Sequence, residues 1–354
     1  MSPDMQIAGR RIGPAHRPFV IAEMSANHNG SLETALRLVE EASRAGADAI
    51  KLQTYTPDTL TLPHDGPEFQ IHGGLWDGQT LYHLYQQAQM PWEWHAPLFA
   101  RARALGLLAF SSPFDTTAID LLESLDAPAY KIASFEAVDL PLIRYAARTG
   151  KPLIISTGLA DADEIQEAVD AARGAGCRDL AILHCVSGYP APAADYHLRT
   201  MTDMMARFGL VTGLSDHTLD NTTAITSVAL GAAIIEKHFT LDRRGGGPDD
   251  SFSLEPADLA RLCRDAATAW QALGRVEYGL KSSERGNAQF RRSLYFVRDL
   301  PAGAQVSADD VRSVRPGHGL APKFIDVIIG RRVTTAVARY TPVHWGILEG
   351  SPAQ

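Results

Sequence analysis

Between residues 19 and 239 the chain alternates short β-rich runs with longer stretches of helical periodicity, and this regularity constrains the fold more than any other feature. The runs are FVIAEM (19–24), AIKLQT (49–54), LLAFSS (107–112), AYKIAS (129–134), PLIISTG (152–158), LAILHCV (180–186), VTGLSD (211–216) and AIIEKHF (233–239). Between the first two, SLETALRLVEEASRAG places Leu32, Ala35, Leu36, Val39 and Ala42 at helical spacing behind Ser31, a residue suited to cap a helix N-terminus. Strands that alternate with helices pair in parallel, because each return across the sheet is made by a crossover helix. Eight such units in about 220 residues predict an α/β fold of the TIM (β/α)8 barrel type rather than an open sheet.

A chain of 354 residues exceeds one such barrel, so a smaller appendage is expected. We read residues 1–275 as the barrel domain and the polar, poorly periodic stretch 276–291 as a linker. Residues 292–354, rich in β formers and punctuated by proline and glycine, form a small second domain. At about 60 residues it is a marginal independent folder, expected to lean on the barrel or on a second subunit. The net charge of -8 and pI near 5.8 argue against a nucleic-acid partner, whose backbone demands clustered Lys and Arg. No apolar run approaches the roughly 20 residues of a membrane span, and MSPDMQIAGRRIGP lacks an apolar leader core. A soluble cytoplasmic protein without membrane partners is expected. Cys177, Cys185 and Cys263 lack metal-type spacing and are read as reduced, buried thiols.

Each β-rich run starts apolar and turns polar at its C-terminal end. The polar residues are Glu23, Lys51 with Gln53, Ser111 with Ser112, Lys131 with Ser134, Ser156 with Thr157, Ser187, Ser215 with His217, and Glu236 with His238. A lone Ser or Thr there marks no more than a strand end. Eight such ends, several of them ionisable, converge in a barrel on the mouth where these folds build their sites. His217 and His238 end consecutive strands about 4.8 Å apart, so both imidazoles can reach one divalent ion; hydrogen bonding within a polar core is the alternative. Two histidines underfill a metal shell, which leaves room for substrate oxygens. Asp249 follows in a glycine-rich loop that is either a fold-over segment or a plain flexible connection. Lys51 and Lys131 with Ser112, Ser134, Ser156 and Ser215 suit a compact phosphate or carboxylate. No nucleotide-type glycine loop is present. Glu23 and Glu136 are each read as substrate holder, general base or structural partner of a lysine, and Glu136 shares the face of Ser134 if the extended backbone persists.

The stretches IAEMSANHNG, GADAIKLQTYTPDTLTL, FSSPFD, YKIASFE, STG, GLSDHT and IIEKHFTLDR resemble, in order and spacing, the sialic acid synthase family of phosphoenolpyruvate-condensing enzymes. RSLYFVRDLPAGAQVSADDVRSVRPGHG resembles that family's antifreeze-like, or SAF, domain, so the likeness covers nearly the whole chain. The resemblance implies that His217 and His238 bind Mn2+ or Mg2+, and that Lys51, Ser112, Lys131, Ser134, Ser156 and Ser215 hold phosphoenolpyruvate with Gln53 beside it. It implies the same for Ser187, which stands in CVSGYP where neuraminate-forming members commonly carry Asn. Glu136 would act as general base, Glu23, Tyr189 and Asp249 would meet the sugar, and Arg315 would enter the partner's barrel in a domain-swapped homodimer. Within the family, YTPDTLTL, GGLWDGQTLYHLYQQA, PWEWH and FSLEP, with a divergent loop from His64 to Gly78, most resemble the members whose acceptor is 2,4-diacetamido-2,4,6-trideoxy-L-altrose, which the resemblance implies here. The rival acceptors are N-acetylmannosamine and the legionaminate precursor, and the rival of another class is a non-catalytic sugar-binding barrel.

Overall fold

The computed structural model describes residues 3–350; the first two residues and 351–354, the end of the expected second domain, lie outside the described residues. An N-terminal hairpin, β1 (Met5–Ile7) and β2 (Arg10–Ile12), precedes eight strands: β3 (Phe19–Glu23), β4 (Ala49–Thr54), β5 (Leu108–Pro113), β6 (Tyr130–Ile132), β7 (Leu153–Ser156), β8 (Leu180–Cys185), β9 (Val211–Asp216) and β10 (Ile234–His238). They pair in parallel in chain order, and β10 closes the cylinder against β3, with His238 in register with Glu23. This is the (β/α)8 barrel expected from the alternation. Ser31 caps the first crossover helix, Leu32–Ala45, by accepting from the Thr34 N–H, and Gly46 ends it in the left-handed region.

Side chains alternate across each strand, so two apolar clusters form on opposite sides of the barrel wall. Val20, Ala22, Ile50, Leu52, Ile155, Ile182 and Ile235 face outward and pack against the helices. Phe19, Ile21, Ala49, Phe110, Ala129, Ile154, Ala181, Val211 and Ile234 face the axis, and Met5, Ile7 and Ile12 of the hairpin join them, stopping the N-terminal end. Gly213 sits in β9 because a Cβ there would lie 2.4 Å from the Ile234 carbonyl oxygen. The inward positions turn polar only further along seven of the eight strands, at 23, 51, 53, 112, 131, 156, 215, 236 and 238, while β8 ends in Cys185.

The described residues divide after Gly274 into two compact units. In the second, 3-10 turns span Ser282–Phe290, and β11 (Ser293–Phe296) pairs antiparallel with β12 (Val311–Val314). Its core gathers Leu294, Phe296, Val306, Val311, Ile328, Val333, Val337, Val343 and Leu348. No described helix is long and apolar enough to cross a membrane. All three cysteines are free, and Cys263 is half-buried rather than buried as expected.

Candidate active site

Four buried charges lie at the C-terminal end of the barrel axis. Lys51 Nζ is 2.7 Å from Glu23 Oε2 and 3.7 Å from Glu236 Oε1, while Lys131 Nζ is 3.4 Å from that same Glu236 oxygen. Ser112 Oγ lies 3.1 Å from Lys51 Nζ, and the Ser215 hydroxyl donates to Glu236 at 3.4 Å. Charges this far from water persist only when paired, and here they pair with one another. Burial pushes Glu23 up to about 7 against the pull of Lys51. Burial pushes Glu236 the same way, but Lys131 and Lys51 together outweigh it and hold it below the usual carboxylate range. Burial depresses Lys131, whereas the two carboxylates keep Lys51 above its ordinary value.

Past the ends of β6 and β8 the hydroxyls of Ser134 and Ser187 converge on Gly158, which follows β7 and its last residue, Ser156. Gly158 lies between them: its N–H donates to Ser134 Oγ at 3.2 Å, and a Cβ there would come within 2.4 Å of Ser187 Oγ and 2.8 Å of Ser134 Oγ. Ser156 Oγ is buried without a partner. The chain does not stay extended past Ser134, as the sequence reading of Glu136 assumed; Ser134–Glu136 forms a 3-10 turn, closed by the Glu136 N–H on the Ala133 carbonyl. That turn buries Glu136 Oε2, which lacks a hydrogen-bond partner. Burial pushes Glu136 up to about 7, with Lys131 and Lys51 opposing.

The two imidazoles meet above this floor, their ring centroids 5.3 Å apart at 61°. His217 Nδ1 lies 2.8 Å from the Val186 carbonyl, which accepts only from N–H and so orients the ring, and although burial opposes it, the neighbouring Cys185 holds the ring above its ordinary pKa. His238 Nδ1 is buried without a hydrogen bond, 3.9 Å from Asp249 Oδ2, and burial holds this ring well below its ordinary pKa, hence neutral. Tyr189 packs 4.4 Å from His217 and 5.3 Å from Phe252. Behind the wall Lys237 faces outward and binds Asp216 at 2.8 Å together with the Thr218 and Asp220 carbonyls, which fixes the turn carrying His217.

The glycine-rich loop after β10 is held in place rather than loose. Asp250 Oδ2 accepts from the Gly247 N–H at 2.8 Å and from Asn29 at 2.9 Å, and a Cβ on Gly247 would lie 1.8 Å from Asn29 Oδ1. Its glycines allow close approach, and Gly246 takes a φ of +83°. Asp249 accepts from the Ser25 hydroxyl, and Gln53 Nε2 donates to both Glu23 and Ser25 at 2.9 Å, which joins Asp249, Ser25, Gln53 and Glu23 in one chain.

The structure therefore brings together Glu23, Lys51, Gln53, Ser112, Lys131, Ser134, Glu136, Ser156, Ser187, Tyr189, Ser215, His217, His238 and Asp249. Arg315 belongs to the second unit, on the segment after β12. The sequence reading set Glu236 at the mouth without a role and left Gly158 and Ser25 out of the site. Glu236 bridges both lysines, and its spacing of two from His238 was the signal that it faces inward. Gly158 in STG makes room for two hydroxyls, and Ser25 links Asp249 to Gln53; neither carries a signal beyond its motif.

Residues 38–278 match the NeuB family and residues 291–349 the SAF domain. The chain is 43% identical over 316 residues to a pseudaminic acid synthase of Campylobacter jejuni, covering 89% of this chain and 92% of the other. It is 41% identical over 335 residues to that of Helicobacter pylori, covering 94% and 98%. An N,N'-diacetyllegionaminic acid synthase of Legionella pneumophila is 37% identical over 337 residues, covering 94% of each. Among solved structures, the N-acetylneuraminic acid synthetase of Leptospira borgpetersenii in complex with citrate superposes with a TM-score of 0.72 at 31% identity, covering 81% of this chain and 95% of that one. With the match to two thirds of its length, an eight-stranded barrel and a charged mouth of this make, the chain belongs to the NeuB family.

Proposed function

We propose that this chain is a pseudaminic acid synthase, condensing phosphoenolpyruvate with 2,4-diacetamido-2,4,6-trideoxy-L-altrose and water to give pseudaminic acid and phosphate. One observation carries the chemistry: a lysine and hydroxyl cradle for a compact anion adjoins two imidazoles in a single buried mouth. The relatives at 41–43% identity carry the choice of acceptor.

Among the described residues no cluster of three or more His, Cys, Asp or Glu is arranged to hold a metal. His217, oriented by the Val186 carbonyl, and the neutral, buried His238 nevertheless fit a divalent ion, Mn2+ or Mg2+, whose remaining positions substrate oxygens would fill. When bound, that ion supplies Lewis acidity to the acceptor's aldehyde oxygen. Lys51, Lys131 and the hydroxyls of Ser112, Ser134, Ser156, Ser187 and Ser215 bind the phosphate and carboxylate, which aims C3 of the enol at the aldehyde carbon. The enol electron pair forms the new C–C bond, and the aldehyde oxygen gains a proton. The positive charge left at C2 lies among the carboxylates Glu23 and Glu236. Glu136 takes one proton from the water that adds at C2, balancing the one the aldehyde oxygen gains, and the C2–O bond to phosphate then breaks as the new C2 hydroxyl gives its remaining proton to the departing phosphate and becomes the ketone. Glu23, Gln53, Tyr189 and Asp249 line the space for the sugar.

A homodimer in which Arg315 of the partner subunit completes the sugar site belongs to the same reading. Support comes from large apolar side chains on the loops after β6 and β7, where Phe135, Val138 and Leu159 are 59%, 57% and 74% exposed in one copy. Use of phosphoenolpyruvate, a central metabolite, favours the cytoplasm.

A phosphate-release assay with three acceptors, the diacetamido sugar, N-acetylmannosamine and the legionaminate precursor, tests the assignment. The first is expected to turn over fastest and to lose activity on chelation; preference for either other sugar contradicts the acceptor, and activity indifferent to chelator contradicts the ion. Glu136→Gln is expected to lower kcat by about 100-fold or more. In the parent, kcat at saturating substrates falls as pH drops below about 7, because the base must be unprotonated to accept a proton. An acid limb of the same midpoint in the variant removes Glu136 from that role. Gly158→Ala is expected to raise KM for phosphoenolpyruvate about tenfold while the fold survives, since the two serine hydroxyls can rotate away but then no longer face the anion. An unchanged KM shows that the anion sits elsewhere.

A further inference from the structure

At the rim of the mouth a cavity of about 220 Å³ separates the loop after β4 from the glycine-rich loop after β10. Trp76 and Gln79 line it from one side, Gly247 and Pro248 from the other. The first loop is shaped by its own backbone: Ile71 N–H donates to the Gln79 carbonyl at 2.8 Å, Gly78 N–H to the Ile71 carbonyl at 3.0 Å, and Gly73, Gly74 and Gly78 take positive φ. The Trp76 indole N–H donates to the Pro248 carbonyl at 3.1 Å, tying the loops together. The Trp76 ring also lies 5.8 Å from Tyr189, which itself packs against His217. Outward from the imidazoles the order is therefore Tyr189, Trp76, cavity.

Gln79 Oε1 is buried and accepts no hydrogen bond. An amide oxygen stripped of water without a donor is costly, so it marks a place where a ligand supplies the N–H. An acceptor oxygen beside an aromatic ring complements an acetamido group, whose N–H points one way and whose methyl offers an apolar face to the indole. The acceptor's aldehyde carbon belongs at the imidazoles, and its C4 lies three bonds further toward the rim. We propose that Trp76 and Gln79 form the subsite for the acetamido group at C4 of the acceptor and set the choice of sugar. The inference rests on the acceptor assigned above. A sugar with a hydroxyl at C4 can still donate to Gln79 but lacks the acetyl group, so the indole face stays bare and the apolar contact is lost.

The test compares Trp76→Ala and Gln79→Leu with the parent enzyme, using the diacetamido acceptor and N-acetylmannosamine, with phosphoenolpyruvate binding followed by calorimetry. Gln79→Leu keeps the side-chain volume and is expected to lower kcat/KM for the diacetamido acceptor about tenfold by loss of the hydrogen bond. Trp76→Ala is expected to lower it by about 10- to 100-fold through loss of the aromatic contact and of the tie to Pro248. In both, phosphoenolpyruvate affinity stays within about twofold, and in Gln79→Leu, whose side chain meets only the C4 substituent, so does turnover of N-acetylmannosamine; Trp76→Ala also loses its contact with Tyr189 and is not expected to spare that turnover. Should Trp76→Ala disturb phosphoenolpyruvate binding, Gln79→Leu alone decides. A parent that prefers the diacetamido sugar, with acceptor preference unaltered in the variants, overturns the inference alone. A parent that prefers N-acetylmannosamine overturns the acceptor assignment and this inference with it.

Discussion

The structure turns on a buried set of four charges. Two ammonium groups, Lys51 and Lys131, and two carboxylates, Glu23 and Glu236, sit at the inner end of the mouth with almost no exposure. Left unpaired in so dry a place, each would lose its charge, since the desolvation cost of an isolated ion exceeds what neutralising it requires. Glu236 reaches both lysines and is itself held ionised by them, so the lysines remain available as cations before any anion arrives. On the proposed reading, a phosphorylated carboxylate entering this space would exchange water for preformed partners with little reorganisation.

The barrel supports this arrangement by grading polarity along its axis. Apolar residues from every strand and from the β1–β2 hairpin fill the N-terminal end, so water reaches the charges only through the mouth. Above them the ionisable side chains come from adjacent parallel strands, whose backbone hydrogen bonds hold them rigidly. Rigidity continues into the loops: Asn29 and Asp250 pin the glycine-rich loop, and Lys237 with Asp216 pins the turn after β9. The distance between the imidazoles is thus set by the scaffold rather than by a ligand.

Much of this was legible in the residues alone. The eight alternating runs predicted the barrel because period-2 and period-3.6 patterns are backbone properties that long segments express strongly. The polar strand ends predicted the mouth. Glu236 was named at the mouth but given no role, because a strand ending EKH offers three candidates and only side-chain parity with His238 separates the inward Glu236 from the outward Lys237. The reading of Glu136 assumed a continued strand, whereas a 3-10 turn carries it. The glycine run read either as a loop folding over the mouth or as plain flexibility, and the structure uses its lack of side chains for close packing against Asn29, a contact between loops some 220 residues apart that no local pattern records.

The central claim is that the barrel mouth binds an enol phosphate through lysines kept charged by buried carboxylates. Calorimetry of phosphoenolpyruvate binding to Lys131→Met tests it most directly, because this change removes one cation while Lys51 still neutralises Glu236. The account predicts an affinity loss of about 100-fold or more, the effect of deleting a charge-assisted contact in a dry site. Affinity within about threefold of the parent, with the fold intact, would contradict it.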